Sequence, residues 1–555
     1  MKYFTLFFFI FQFLNSQTRT VGLISRDTVK SLKGYTLFSP IPSNATYLID
    51  NEGNKIQTWV SQYRPGQSVM LLQNGDLLRT ATPGGQSTPL NGGGAGGIVE
   101  KFDWNGNLIW TFNYYTSEYR SHHDIEILPN GNILLIVWVK KTTTETITAG
   151  RNSIPQNVTE IWSEKIIEVK QTGINSGEIV WEWHAWDHLI QDANNTKPNF
   201  GVVQDHPELI DINSGGTQTD WLHINSIRYN SSLDEIILSV HNLSEIWIID
   251  HSTTTLQAAS HTGGKRGKGG DLLYRWGNPR TYKRGSASDQ KLFLQHDARW
   301  IDSGFVGAGN ILIFNNGQGR PGGNYSSVEE IIPPVNTDGS YSISSGTAFG
   351  PLSSTWNYTA QNPIDFYGQN ISGATRLLNG NTLACVGPTG IFLELTQDKK
   401  IVWKYINPVT QNGVLTQGQT PSNNMVFKIY RYSPNYSAFA GKTLTSKGPI
   451  ENYSGGVDDI IPKKFALYQN FPNPFNPSTT INYGLPEDSK VTIEVYNSIG
   501  QKVATLVNEI KNAGYHSVVF NYKVDSGIFF YRIFAVSQNN TNKNFINIKK
   551  MMLLK

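Results

Sequence analysis

Apolar and polar positions alternate in short runs along most of the chain, and Asn, Asp and Gly separate the runs. Period-two alternation between turn residues predicts strands and hairpins. One pattern recurs: a strand, a tight turn, then a second apolar strand. Six segments carry it, and three open on a histidine: His123 to Leu134, His223 to Arg228 with its second strand after Leu233-Asp234-Glu235, and His296 to Phe314. Two copies lack the histidine and place Gln67 and Ser372 there. From Gln67 to Gly75, His123 to Gly131 and Ser372 to Gly380 the offset is eight each time. The sixth segment, Trp162 to Trp183, keeps only outer strands.

A second hairpin follows the first, with an apolar strand, a polar turn and a strand ending in Trp, as at Trp59, Trp110, Trp181 and Trp403. One hairpin cannot bury its own face, so repetition calls for a closed array. Two hairpins per unit make four-stranded blades, and radial blades make a β-propeller. The expected fold is all-β: a six-bladed β-propeller followed by a small C-terminal β-sandwich. Equivalent positions on inner strands converge near a propeller axis, so His123, His223 and His296 should meet.

Composition narrows the class. Net charge is +3, which gives no reason to expect a nucleic-acid partner. Cys385 is the only cysteine, which excludes an internal disulfide and a cysteine-based metal site. No metal and no cofactor is expected. Residues 1–17 read as a secretory signal peptide: Lys2, a short apolar run to Leu14, then Asn15-Ser16-Gln17. The run is too short for an ordinary membrane span.

Further candidates lie along the domain at 18–440. His122 is read as a neighbour of His123 aimed at the opposite face of the strand. Trp181, Trp183, His184, Trp186 and His188 form an aromatic cluster, read mainly as packing between blades and otherwise as a wall for an aromatic substrate. Asn225, two residues after His223, should share its face. The glycine-rich stretch His261 to Gly270 lacks the Gly-Lys-Ser/Thr ending of a phosphate loop and reads as a flexible basic loop that could steer an anion. Arg299 and Arg320 are the nearest cations for an anion, and Asn315 and Ser372 are candidate donors to substrate. Residues 441–462 read as a linker. Residues 463–555 alternate with period two and read as a β-sandwich module.

The module resembles the type A sorting domain of the Bacteroidetes-type type IX secretion system. Tyr468 to Ser478, Val495 to Val503, Gly514 to His516, Ser526 to Arg532 and Lys549 to Met552 carry the resemblance. It implies export to the cell surface or beyond, with the secretion machinery as partner. The propeller resembles the bacterial aryl-sulfate sulfotransferases through Gly34 to Ser39, Tyr47 to Asp50, His122 to Asp124, Trp221 to Ser226, Gln295 to Asp297 and Ser372-Gly373. That resemblance implies transfer of a sulfuryl group from a phenolic sulfate donor to a phenol acceptor through a sulfohistidine, without a nucleotide donor. His296 then matches the nucleophile, His123 and His223 the supporting histidines, and Asn225 their asparagine. His241 stands where the family carries an arginine. Two other readings remain at this point. One is a non-catalytic cell-surface propeller that binds a ligand or protein. The other is a quinone-cofactor dehydrogenase, which would need acidic calcium ligands beside a stacking Trp.

Overall fold

The structure is a computed structural model that describes residues 19–83, 89–453, 462, 464–470, 473–522 and 524–554. The signal segment at 1–17 lies outside the described residues. The chain divides into two compact units between Glu451 and Asn452. The protein is all-β, and among the described residues no helix is long and apolar enough to cross a membrane.

Among the described residues the first unit holds six antiparallel sheets of four or five strands. The first sheet joins Tyr35–Phe38, Ala45–Ile49 and Lys55–Val60 to Tyr430–Tyr432 from the far end of the unit. The second runs Arg64–Leu71, Leu77–Thr82, Ile98–Phe102, Leu108–Asn113. The third runs Tyr119–Ile127, Ile133–Thr142, Glu160–Gly173, Ser176–His184. The fourth runs Ile224–Asn230, Glu235–Val240, Glu245–Asp250, Tyr274–Trp276. The fifth runs His296–Trp300, Ile311–Asn315, Ser327–Ile331, Trp356–Tyr358. The sixth runs Gly373–Arg376, Thr382–Val386, Ile391–Leu395, Ile401–Ile406, and Gly22–Arg26 adds to its outer edge. The strands at Trp162 and Trp183 are therefore the outer half of the His123 sheet, not a sixth copy. The sixth inner strand is Tyr430–Tyr432. Residues 441–451 pack on the first sheet, since the Lys447 N–H donates to Lys55 O and the Lys55 N–H donates to Gly448 O.

Hydrogen bonds link each inner strand to the next. The Leu71 N–H donates to Tyr432 Oη at 2.9 Å. Ser68 Oγ donates to Asp124 Oδ1 at 2.7 Å, and Asp124 Oδ2 accepts from the Ile227 N–H at 3.2 Å. The Ala298 N–H donates to Ser226 Oγ and the Ala374 N–H to Asp297 Oδ2, both at 3.0 Å. The Ser372 N–H donates to Phe427 O at 3.0 Å, which returns the order from the sixth sheet to the first. These bonds satisfy polar groups that the apolar packing between sheets would otherwise strand.

A buried ionic cluster is built on the same strands. Asp124, Asp297 and Glu126 face Arg228, Arg299 and Lys428. Burial alone would raise the Asp124 carboxyl, but Arg228 and Lys428 outweigh it and hold it at about 2. Glu126 goes the other way: burial pushes it to about 7 in spite of Arg228. Removing one partner of such a cluster leaves an uncompensated buried charge.

The second unit has a three-stranded sheet (Ala466–Leu467, Thr479–Leu485, Gly514–Phe520) and a four-stranded sheet (Ser489–Asn497, Lys502–Lys511, Gly527–Ser537, Asn544–Leu553). Their alternate residues, Ile481, Tyr483 and Phe520 with Val491, Ile493, Tyr531 and Ile533, share one buried core.

Candidate active site

Five histidine rings stand in a row. Ring centroids are 5.1 Å apart between His122 and His123, 4.6 Å between His123 and His223, 5.0 Å between His223 and His241, and 5.2 Å between His241 and His296. The rings come from the third, fourth and fifth sheets. Trp138 stacks on His122 at 3.9 Å and 6°. Phe427 lies 6.1 Å from His123.

A recurring backbone feature falls on two of them and beside a third. Gln67, His123, His223, Asp297 and Ser372 all have positive φ, at 104°, 52°, 52°, 54° and 88°. In the third sheet Ile125 pairs with Leu135 and His122 with Ile136, which leaves His123 and Asp124 outside the ladder. Such a bulge redirects side chains and breaks alternation. His122 and His123 therefore reach the same place, and His122 is not the outward neighbour that strand alternation predicts.

Each ring is held by a specific partner. His122 Nε2 is 2.8 Å from Glu164 Oε2, and its Nδ1 is 2.8 Å from His123 Nδ1. Glu164 Oε1 accepts from the Ile224 N–H at 3.0 Å. Burial, then His223, pushes the His122 imidazole far below its usual range. Burial, then Asp220, pushes the Glu164 carboxyl far above its own. Both shifts favour neutral forms, so this contact is a neutral hydrogen bond rather than an ion pair. His123 is also held neutral, by burial and then His223.

His223 Nδ1 lies 2.5 Å from Asp220 Oδ2. The carboxylate orients that ring, as in a histidine–aspartate dyad. Asp220 Oδ1 and Asn225 Oδ1 are buried with no partner among the described residues. Asn225 does not follow His223 into the row through a hydrogen bond. Its amide donates to Gln295 O at 2.8 Å and fixes the residue before His296.

His241 Nδ1 is 2.7 Å from Asn242 Oδ1, and Asn242 Nδ2 donates to Asp220 O at 2.7 Å. Burial, then His223, lowers His241 to about 3, so it is neutral at neutral pH. His296 Nδ1 is 2.9 Å from Asn316 Oδ1. Asn316 Nδ2 donates to Gly368 O and Ile371 O at 2.6 and 3.0 Å. That fixes the amide, so Oδ1 accepts, His296 Nδ1 carries the proton and Nε2 keeps its lone pair. The Ile371 N–H reaches this Nε2 at 3.2 Å.

Several sequence candidates stand elsewhere. Asn315 clamps the loop before His296, accepting from the Phe293 N–H and donating to Lys291 O; its neighbour Asn316 is the one that touches the imidazole. Arg299 Nη2 is 2.6 Å from Asp297 Oδ1 and its guanidinium lies over Tyr430, inside the ionic cluster. Arg320 donates to Ser327 Oγ and lies over Tyr325. Ser372 Oγ accepts from the Gly387 N–H and donates to Asn370 O. Its contribution near the row is its backbone bend beside Ile371. The stretch from His261 to Gly270 is a bonded loop and not a free basic arm: Lys265 pairs with Asp234 and Arg266 with Glu235. Trp181 and Trp183 donate to Thr253 Oγ1 and Gly270 O and pack between sheets, while Trp138 is the aromatic on the histidines.

A glycine stretch also closes on the row. The His123 N–H donates to Gly94 O at 2.8 Å, and a Cβ on Gly94 would stand 2.1 Å from His123 Nε2. Arg120, buried without a carboxylate partner among the described residues, holds this stretch by donating to Pro89 O and Gly96 O. Asn91-Gly92-Gly93-Gly94 was visible in the sequence as a run that only close backbone approach requires.

Comparison with known proteins adds a family. Among solved structures, the protein is similar to one of unknown function from Bacteroides caccae at 11% identity, covering 72% of this chain and 99% of that chain, with a TM-score of 0.38. A periplasmic gluconolactonase of Pseudomonas aeruginosa matches at 11% identity, 88% and 99% coverage and a TM-score of 0.35. A streptogramin B lyase matches at 11% identity, 73% and 96% coverage and a TM-score of 0.32. Likenesses this slight say nothing of activity. The comparison with curated proteins found no match. The profile described as a secretion system C-terminal sorting domain matches residues 469–549, and this tail marks the protein for export to the cell surface or extracellular space. The profile described as Arylsulfotransferase (ASST) matches residues 42–431, well over half of the chain, and the protein belongs to that family.

Proposed function

We propose that the protein is an exported aryl-sulfate sulfotransferase, a six-bladed propeller with a C-terminal sandwich, that works through a sulfohistidine at His296. The observation that carries this is the tautomer of His296. Asn316 holds the proton on Nδ1, and Nε2 keeps a lone pair at the end of the histidine row, next to His241. Nε2 attacks sulfur and the bond from sulfur to the aryl oxygen breaks. The leaving phenolate takes a proton from His123, which draws one in turn from Glu164 through His122. The acceptor phenol then attacks sulfur, the N–S bond breaks, and the phenolic proton returns along the same path. Covalent capture splits one difficult step in two. As in phosphoryl transfer, positioning and charge stabilisation do most of the work. The long Ile371 N–H contact gives way on donor binding and offers that N–H to a sulfuryl oxygen.

The test is release of 4-nitrophenol from 4-nitrophenyl sulfate by the purified protein. Release should rise with added phenol, need no nucleotide, and vanish in folded His296→Asn. One observation favours a second reading, a non-catalytic surface propeller. The ring partners described above are Glu164, Asp220, Asn242, Asn316 and the Ile371 N–H, none a permanent cation. No release from folded protein with several donors and acceptors would favour that reading.

A further inference from the structure

His188, His261 and Asp271 converge away from the histidine row, and we propose that they bind one divalent transition-metal ion, zinc in particular. His188 sits in the short turn Ala185–His188 after the third sheet, buried and stacked on Trp183 at 5.7 Å and 5°. Its Nε2 is 2.8 Å from Ala258 O. A carbonyl only accepts, so Nε2 carries a proton and Nδ1 is the nitrogen that faces Asp271. That Nδ1 lies 2.8 Å from Asp271 Oδ1. His261 Nδ1 is also 2.8 Å from the same oxygen. The three ligand atoms all lie within 4.8 Å of one another.

His188 Nδ1 and His261 Nδ1 both face the single oxygen Asp271 Oδ1, so three potential ligand atoms point at one spot. A metal ion serves all three donors at once, and on binding it displaces any proton on the Nδ1 atoms. Two imidazoles and a carboxylate suit zinc, and the exposed side of His261 leaves a fourth position for water. The bond from His188 Nε2 to Ala258 O is the outer-shell contact that fixes a ligand tautomer. The backbone closes on the same ring: a Cβ at Gly270 would lie 2.6 Å from His188 Nε2, and Trp183 Nε1 donates to Gly270 O at 2.7 Å. Filling the site needs the donors to spread by about half an ångström, which the exposed His261 ring allows. The ion would fasten both ends of the glycine-rich loop, His261 and Asp271, to the end of the third sheet. The sequence leads to no expectation of a metal, because these two histidines meet only in the fold.

The experiment uses tag-free full-length protein, stripped with chelator and titrated with zinc and, separately, cobalt(II). One equivalent of zinc should bind with micromolar or better affinity and raise Tm, and cobalt should give the visible bands of a tetrahedral site. His261→Ala, at an exposed position, and Asp271→Asn should keep the fold and weaken binding at least tenfold. Absence of saturable binding would overturn the proposal. So would equal binding by both variants, which would place the ion on other histidines.

Discussion

His122 Nδ1 and His123 Nδ1 lie 2.8 Å apart, so one of two adjacent histidines donates and the other accepts. Glu164 stands at the far nitrogen of His122. With Glu164 neutral, its proton points to His122 Nε2, and His122 Nδ1–H points to His123 Nδ1. Shifting both protons ionises Glu164 and charges His123. The three groups thus form a relay that can supply a proton inside a buried site without drawing one from solvent.

Glu164→Gln tests the relay. The amide keeps the shape, accepts from the Ile224 N–H and donates to His122, but passes no proton. We expect kcat to fall about tenfold or more, with KM and Tm little changed. Activity should partly return at lower pH, where solvent supplies the proton. Unchanged kcat would remove Glu164 from the proton path.

Asn316→Ala should act on kcat through the His296 tautomer. The His296 Nδ1–H loses its acceptor, and Gly368 O and Ile371 O lose their donor. Stability should drop by about 1–3 kcal/mol, the cost of unsatisfied buried groups. We expect kcat to fall by about 10–100-fold, as when an outer-shell partner of a working histidine is removed. The imidazole 15N shifts should show a mixture of tautomers. A single Nδ1–H tautomer in the variant would sink the argument.

The convergence of His123, His223 and His296 was legible because repeat register carries position directly. What surrounds them was not, for identifiable reasons. The positive φ at His123 breaks the alternation that assigned His122 to the other face. Asn316 rather than Asn315 meets His296 because it lies just past the ladder, which ends with Asn315 opposite Ser327. Charge alone leaves Arg299 available to an anion, but Asp297, two residues earlier, takes it. Asp220 stood in view three residues before His223, but only a turn brings that spacing into contact. The inner strand Tyr430–Tyr432 is three residues long and has no turn signature of its own.

His241→Arg should change how the donor is held. In the free site His241 is lowered to about 3 by burial and His223, and we expect a bound sulfate group to draw a proton onto this ring. KM for an aryl sulfate should therefore rise with pH, by up to tenfold per pH unit for one proton taken up. Arginine is charged throughout and needs no uptake. The variant should show a lower KM that no longer depends on pH between 6 and 8. A flat KM profile in the unaltered protein would contradict this account.

Acid stability follows from the same shift with a defined sign. His241 titrates near 3 when folded and near its usual 6.5 when unfolded. Between those values the unfolded chain binds a proton that the folded chain does not, so stability falls as pH drops through that window. His122, His123 and His296 act in the same direction. Glu126 opposes them. Its folded value of about 7 lies above its usual 4.5, so its contribution is full below 4.5 and is lost as pH rises through 7. A single pH scan mixes the two signs, and a variant separates them. In urea titrations followed by near-UV circular dichroism, His241→Asn should lose less stability than the unaltered protein between pH 6.5 and 4, by on the order of a few kcal/mol. Glu126→Gln should lose more over the same range, because it removes the group that gains on acidification. Equal slopes in all three proteins would mean that His241 and Glu126 titrate alike in the folded and unfolded chain.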